Sequence, residues 1–520
     1  MKKMTKITVK KSQLAGKIFC PPSKSYSHRA IVISCLSNGT SHLENVLLSR
    51  DTIATINCCK MLGMKIDKIR LSKELQQQST DGNKNLSLQN VGILKISSSG
   101  ARIGFENPED ILNAENSGTT IRLLTSVCSF VNDGFTILTG DTSLRKRPMG
   151  DLIDSLNQLG VDCVSTKKSK TPPLIVKGGG MKGGKVFVSG KISSQFISSL
   201  LLSGIYAKEK VLINVLGNQV SKPYIESTIS IMKRFGVNVI NKPLDENNNS
   251  TNNYDSNYKA FNKSSSFSTS YPPTSSSSSS FISTSSSKSI HTNKSITNDN
   301  NNYNTNTVVT ELYDISNDKD YIPTSFKIPG DFSTAALLLS SAILSDGEVS
   351  IYNLDFSMPQ GDSNIINILK KLGANISEDK SNGIVKIKGT NSLIGGEFNL
   401  RDTPDLLPVL SILALKCKNP IKITGISHAR YKETDRVANI SSQLVKFGAN
   451  VKEEMDSLYI KPPIKIKNAS LDSFNDHRLF MAFFIASLST EESQIEGSDS
   501  VDVSYPGFID EMKRLGAKIL

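Results

Sequence analysis

Residues 233–239 read KRFGVNV, and variants of this phrase stand at five other places in the chain. KMLGMKI (60–66), NQLGVDC (157–163), KKLGANI (370–376), VKFGANV (445–451) and KRLGAKI (513–519) each run from a polar helical end through Leu-Gly or Phe-Gly into a short alternating stretch. Glycine suits the left-handed turn that closes a helix, because it has no Cβ to clash. The alternation that follows is that of a half-buried strand. One copy would carry little weight, but six predict a repeated αβ unit.

The marker glycines are 97, 76, 137, 75 and 68 residues apart. These intervals exceed the 20–50 residues of a solenoid repeat, so the expectation is globular: three units in each of two similar α/β lobes. The over-long third interval coincides with a change of composition between residues 243 and 320, where Asn, Ser and Thr dominate and Ser275 to Ser280 is homopolymeric. Such a segment has too little apolar surface to offset its ordering entropy and is expected to be a disordered insertion. The first interval holds a smaller excess, placed around LSKELQQQSTDGNKNLSLQN at 71–90.

With 520 residues the chain exceeds one core's usual reach. Its net charge of +13 lies outside the insertion, since residues 241–320 hold six Lys against eight Asp plus Glu. The insertion is therefore not a basic nucleic-acid tail. No run of apolar residues is long enough to span a bilayer, and MKKMTKITVKKSQLAG has no apolar secretion core. The seven cysteines are odd in number and form no CxxC pair, which argues against a disulfide framework or zinc ribbon.

Chemistry concentrates where apolar helices begin. PPSKSYSHRAIVISCL opens with Ser23, Lys24, Ser25 and Arg29; ENSGTTIRLLTSVC opens with Asn116, Ser117, Gly118 and Thr119, with Arg122 one turn on; KISSQFISSLLLSGIY opens with Ser193, Ser194 and Gln195. Each start offers free N–H groups and the positive end of a helix dipole, which suit phosphate or carboxylate; ordinary helix capping uses the same residue types. GDTSLRKRPMG adds Arg145, Lys146 and Arg147, HARYKETDRVANI adds Lys432, Glu433, Asp435 and Arg436, and FNDHRLFMAFFIASL adds Asp476, His477 and Arg478. A solvated helix face or a local hydrogen bond would explain the last two singly. No GxxxxGK[ST] or GxGxxG occurs, so nucleotide binding has no support.

Taken in order, PPSKSYSHRA, NSGTTIRL, GDTSLRKRPM, SSQF, SKPYIEST, PGDFSTAA, MPQGD, TPDLLP, YKETDR, NDHR and SYPGF resemble the 5-enolpyruvylshikimate-3-phosphate synthases, a family of enolpyruvyl transferases. The resemblance covers nearly the whole chain outside the insertion. It implies two lobes of three βαβαββ units each, with residues 1–21 and 321–520 in one, residues 22–242 in the other, and the 243–320 insertion just beyond the second crossover. It implies transfer of the enolpyruvyl group of phosphoenolpyruvate to the 5-hydroxyl of shikimate 3-phosphate with release of phosphate, a step toward chorismate and the aromatic amino acids. No metal or other cofactor is implied, the expected partners are the two small-molecule substrates rather than nucleic acid or membrane, and a cytoplasmic monomer is expected.

Carried over residue by residue, the match makes Asp405 the base, Glu433 the acid and Lys24 the bridge between substrates. Lys24, Ser25, Arg29, Ser193, Ser194, Gln195, Ser221, Tyr224, Asp405 and Lys432 fall on the shikimate 3-phosphate side. Lys24, Asn116, Gly118, Arg147, Gln195, Arg436 and Arg478 fall on the phosphoenolpyruvate side. Departures are Val503 where a Lys is common, Leu123 where a Pro is common, and His428 in place of Asn. They put substrate affinity and inhibitor sensitivity in doubt. Two alternatives share the architecture. The UDP-N-acetylglucosamine enolpyruvyl transferases use a Cys on the loop where this chain has Thr142, and a non-catalytic anion- or RNA-binding relative would lack a reason to keep Asp405, Lys432 and Glu433 together.

Overall fold

The computed structural model describes residues 5–69, 90–243, 308–390 and 393–520. The six marker glycines, Gly63, Gly160, Gly236, Gly373, Gly448 and Gly516, all adopt φ between 79° and 113°. In each case the N–H of the next residue bonds a carbonyl five residues back, as in Met64 to Cys59, Val161 to Leu156, Val237 to Met232, Ala374 to Leu369, Ala449 to Leu444 and Ala517 to Met512. This is the bonding of a Schellman cap. The strand after each glycine (Lys65–Ile69, Cys163–Ser165, Val239–Pro243, Asn375–Asp379, Asn450–Glu453 and Lys518–Ile519) lies at the edge of its sheet.

Among the described residues the strands form six four-stranded sheets. Residues Leu112–Lys177 show the plan: strand Leu112–Asn113, helix Gly118–Val127, strand Phe135–Thr139, helix Gly150–Gln158, then Cys163–Ser165 and Leu174–Lys177. The first two strands are parallel, joined through the first helix, and the last two are antiparallel. The first helix of each unit is buried nearly all round and lies inside: Lys24–Leu36, Gly118–Val127 and Ser194–Gly204 in one half, Phe332–Leu344, Leu407–Leu413 and His477–Ser487 in the other. Two hydrophobic cores result. One runs from Tyr26 to Ile328 and takes in Met358, and the other combines Val9–Cys20 with Phe332–Ala517.

The halves exchange strands where they join. Strand Ala15–Phe19 precedes the first helix of one half but pairs in parallel with Glu348–Tyr352 of the other. Ser325–Lys327 precedes Phe332–Leu344 yet pairs in parallel with residues 42–44 of the first half. The two crossovers bond to each other, Ser23 N–H to Pro329 O at 2.7 Å and Asp331 N–H to Pro21 O at 2.9 Å. Gly330 is required there, because a Cβ would sit 2.1 Å from Asn353 O.

The insertion and the lobe boundary shift from the expected places. Val309–Ile315, expected within the insertion, is a strand between Val211–Leu216 and Val239–Pro243, and Tyr321 packs edge-on against Phe235 at 6.5 Å. Residues 308–328 thus complete the first half, because Tyr313, Ile315, Tyr321, Phe326 and Ile328 bury their side chains in its core. The extra segment does not follow the second crossover; it joins two antiparallel neighbours, Pro243 and Glu311 being register partners. Its residues 244–307, like 70–89 in the first interval, lie outside the described residues. Replacing 244–307 with a short Asn/Gly turn should leave catalytic turnover intact and the melting temperature within a few degrees, since lengthening a loop adds only about 0.6 kcal/mol per doubling. A deletion reaching residue 315 should instead unfold this half by removing a central strand.

Candidate active site

The buried helices of the two halves start differently. In the first half the caps are serines: Ser117 Oγ accepts from Thr120 N–H at 3.1 Å and Ser193 Oγ from Gln195 N–H at 3.3 Å, with Ser23 serving Lys24–Leu36. In the second, two of the three are aspartates: Asp331 accepts from Ser333 N–H at 3.1 Å and Asp476 from Arg478 N–H at 2.9 Å, while Leu407–Leu413 has no side-chain cap. Neutral caps leave the dipole ends of the first half open to an anion, whereas carboxylates already balance the starts of Phe332–Leu344 and His477–Ser487.

Between these helix starts lies a knot of buried charge centred on Arg436. Its Nη1 donates to Asp405 Oδ1 at 2.9 Å, its Nη2 to Glu433 Oε2 at 2.6 Å, and its Nε to Asp476 Oδ2 at 2.8 Å. Arg478 Nη2 lies 2.9 Å from Asp405 Oδ2, and Arg147 Nη1 3.9 Å from Glu433 Oε1. Burial pushes the Asp405 carboxyl up, but Arg478, Lys432 and Arg436 more than reverse it and hold it well below the usual range. Burial acts the same way on Glu433, and Arg436 and Arg147 overcome it. Lys432 is pulled down by burial against the opposing pull of Asp405.

The sequence-expected residues reach this knot from both halves. Arg147 Nη2 donates to Asn116 Oδ1 at 2.7 Å, and Asn116 Nδ2 donates to Asp141 Oδ2 at 2.6 Å, which fixes the GDTSLRKRP loop against the Gly118–Val127 helix. A Cβ on Gly118 would come within 2.7 Å of Arg147 Nη1, so glycine permits that approach. Gln195 accepts from Arg122 Nη1 at 2.7 Å and donates to Thr119 Oγ1 at 2.9 Å. Arg122 Nε is buried with no partner, and burial, with Arg147 adding, lowers that guanidinium to about 9. Lys24 Nζ is held 3.1 Å from Asp51 Oδ2, a buried carboxylate.

Tyr224 is the direct bridge from the residues expected on the shikimate 3-phosphate side to the expected base, its hydroxyl lying 3.1 Å from Asp405 Oδ2. Ser221, just before that helix, has φ 57° and donates its N–H to Arg401 O of the other half at 3.1 Å. Ser143 Oγ likewise donates to Glu433 O at 2.8 Å, so loops of the two halves touch across the site. Ser25 and Ser194 stand in the first turns of their helices.

Arg29, which the resemblance puts on the shikimate 3-phosphate side, is spent on contacts within the protein. It is 1% exposed, and its guanidinium bonds Thr228 Oγ1 at 2.7 Å, Ser198 Oγ at 3.3 Å, Tyr224 O at 3.2 Å and Ser25 O at 3.1 Å. Burial lowers it to about 10. It ties together the three helices that carry Ser25, Ser194 and Tyr224. Val503, at a position where a cation is common, is nearly buried, and His428 is a neutral ring lowered to about 4 by burial and then by Lys432, with Nε2 unpartnered.

Sequence reasoning missed three carboxylates: Asp51, Asp476 as the third partner of Arg436, and Asp362. Asp362 lies in MPQGD, which offers no spacing signature. Only the fold brings it to Tyr224.

A family model described as EPSP synthase (3-phosphoshikimate 1-carboxyvinyltransferase) matches residues 9–104, 88–252 and 308–512. The chain is 37% identical over 516 residues to a 3-phosphoshikimate 1-carboxyvinyltransferase of Nitrosopumilus maritimus, covering 99% of each. It is 35% identical over 515 residues to one of Methanosarcina acetivorans, covering 99% of this chain and 98% of the relative. Its fold is similar to that of an EPSP synthase from Acinetobacter baumannii, with TM-score 0.69 at 22% identity and 99% of each chain covered. With sequence similarity along almost its full length and the same two-lobed fold, the chain belongs to the EPSP synthase family.

Proposed function

We propose that the chain, as a cytoplasmic monomer, transfers the enolpyruvyl group of phosphoenolpyruvate to the 5-hydroxyl of shikimate 3-phosphate and releases phosphate. The observation that carries this reading is one arginine, Arg436, clasping the two carboxylates of opposite assigned role, Asp405 at 2.9 Å and Glu433 at 2.6 Å.

That clasp makes the acid–base pair responsive to substrate. Without substrate, both carboxylates are ionised by their arginines. Glu433 in that state has no proton to give. The phosphate and carboxylate of phosphoenolpyruvate compete for Arg436, Arg147 and Arg478, and each arginine so diverted raises the carboxyl it leaves. Glu433 then takes up a proton and delivers it to C3, while Asp405 accepts the proton of the attacking hydroxyl. In the elimination half, Glu433 recovers a proton from the new methyl group, and the departing phosphate carries away the proton held by Asp405. Lys24, Arg147 and Arg478 stabilise the phosphate charge as it leaves.

On the shikimate 3-phosphate side the proposal assigns Ser25, Ser193, Ser194, Gln195, Ser221, Tyr224 and Lys432, with Arg29 holding their helices in register. Asn116 and Gly118 sit on the phosphoenolpyruvate side beside Arg147. The test is a phosphate-release assay on the full chain with both substrates. Release that requires shikimate 3-phosphate supports the reading, and turnover of a UDP-sugar in its place would overturn it.

A further inference from the structure

The Tyr224 hydroxyl touches two carboxyl groups, Asp405 Oδ2 at 3.1 Å and Asp362 Oδ2 at 3.2 Å. A phenol has one proton and cannot donate to both. Asp405 is the ionised one, because Arg436 and Arg478 bond its two oxygens at 2.9 Å each. Were Asp362 ionised as well, a phenolic lone pair would face a carboxylate. Among the described residues no cation is in hydrogen-bond contact with Asp362. Its Oδ2 meets the Ser333 hydroxyl and Tyr224, and its Oδ1 is buried with no partner. An unpaired buried oxygen is far less costly on a neutral acid than on a carboxylate. One assignment satisfies all the contacts: Ser333 donates to Asp362 Oδ2, the acid proton on that oxygen is donated to Tyr224, and Tyr224 donates to Asp405.

From this geometry we infer that Asp362 is a neutral carboxylic acid that keeps the Tyr224 hydroxyl aimed at Asp405, and is thereby a positioning residue for the base. The inference rests on the reading of Asp405 given above. The charged groups facing Asp362 are Asp405 and Asp331, which oppose its ionisation, and Arg478, which favours it, as does the Ser333 hydroxyl; Tyr224 is the neutral hydroxyl it shares with Asp405. Burial dominates, with Asp405 next, and the carboxyl is raised to about 7. Ionisation above that pH frees Tyr224 to turn from Asp405 to Asp362. It also adds a negative charge beside the site of a phosphorylated, carboxylated substrate.

The experiment compares the full chain with its Asp362→Asn variant, whose amide donates to Tyr224 at every pH. The first readout is thermal melting without substrate. The folded-state pKa of Asp362 is raised from 3.8 to about 7, so its stabilising contribution is complete below 3.8 and lost as pH rises to about 7. The melting temperature of the variant relative to the native chain should climb across that window and level off above it. The second readout is KM for shikimate 3-phosphate, expected to rise by up to about tenfold per pH unit above the Asp362 pKa in the native chain and to stay flat in the variant. Asp362→Leu, which cannot donate, should lower kcat about tenfold, and Asp362→Asn should restore most of it below pH 7. Parallel pH curves for the native chain and Asp362→Asn in melting and KM would overturn the inference. If the native chain shows no turnover, the function is wrong, while the melting curves still decide the state of Asp362.

Discussion

Asp405→Asn should lower kcat by about 100-fold to 10,000-fold while KM for both substrates changes by less than about tenfold. The substitution keeps the shape of the side chain and can still accept from Tyr224 and one arginine. It removes the negative charge that Arg436 and Arg478 hold in place, and with it the acceptor for the hydroxyl proton. An interaction needed only as the transition state forms appears in kcat more than in KM. Steady-state phosphate release over a range of both substrates measures the two constants separately. A kcat within tenfold of the native value would remove Asp405 from the role of base.

Arg436→Met should cost stability as well as activity. The arginine is 1% exposed and serves Asp405, Glu433 and Asp476, the last fully buried. Removing one partner from a buried ionic group leaves uncompensated charge, at a cost of about 3–5 kcal/mol. The pH dependence separates this cause from simple loss of packing. Asp405 and Glu433 have depressed folded-state pKa values, so their contribution is present above the ordinary carboxylate range and lost as pH falls below it. The melting-temperature gap between the native chain and the variant should therefore hold from neutrality down to about pH 4, the ordinary carboxylate range, and narrow below it. A gap that does not change with pH would place the defect in packing, and turnover near the native rate would end the assignment of Arg436 to phosphoenolpyruvate.

The two experiments probe one design. On the proposed assignment, the cations that meet the anionic substrate are paired, in its absence, with the carboxylates that perform the proton transfers. Substrate arrival thus alters the acidity of Glu433 and Asp405 at the moment it is needed, with no further moving part. Arg29 and Arg122 show that not every arginine of the motifs shares this role. Arg29 braces helices, and Arg122 lies over the Phe196 ring at 5.2 Å while bonding Gln195.

The repeats were legible because their signal is local. A helix that ends in a left-handed glycine needs that glycine next to the last turn, so Gly236 and its five counterparts mark their units in the sequence. The helix starts at Lys24, Gly118, Ser194 and His477 were legible for the same reason: cap and apolar run adjoin each other along the chain. The boundary at residue 321 was misplaced because polar composition does not reveal pairing. Val309–Ile315 sits among polar residues and becomes a strand only through its neighbours Val211–Leu216 and Val239–Pro243.

By itself the sequence determined six αβ units, the residue types at each helix start, and the family to which their order belongs, all of which depend on residues a few positions apart. Only the tertiary structure decided that Ser325–Lys327 pairs with the first half, that Arg29 ties three of its helices together, and that Asp362 stands beside Asp405 across one tyrosine hydroxyl. These last facts turn on contacts between residues tens to hundreds of positions apart. Charge pairing and protonation are set by what lies within a few ångströms in space, which no local pattern in the chain encodes.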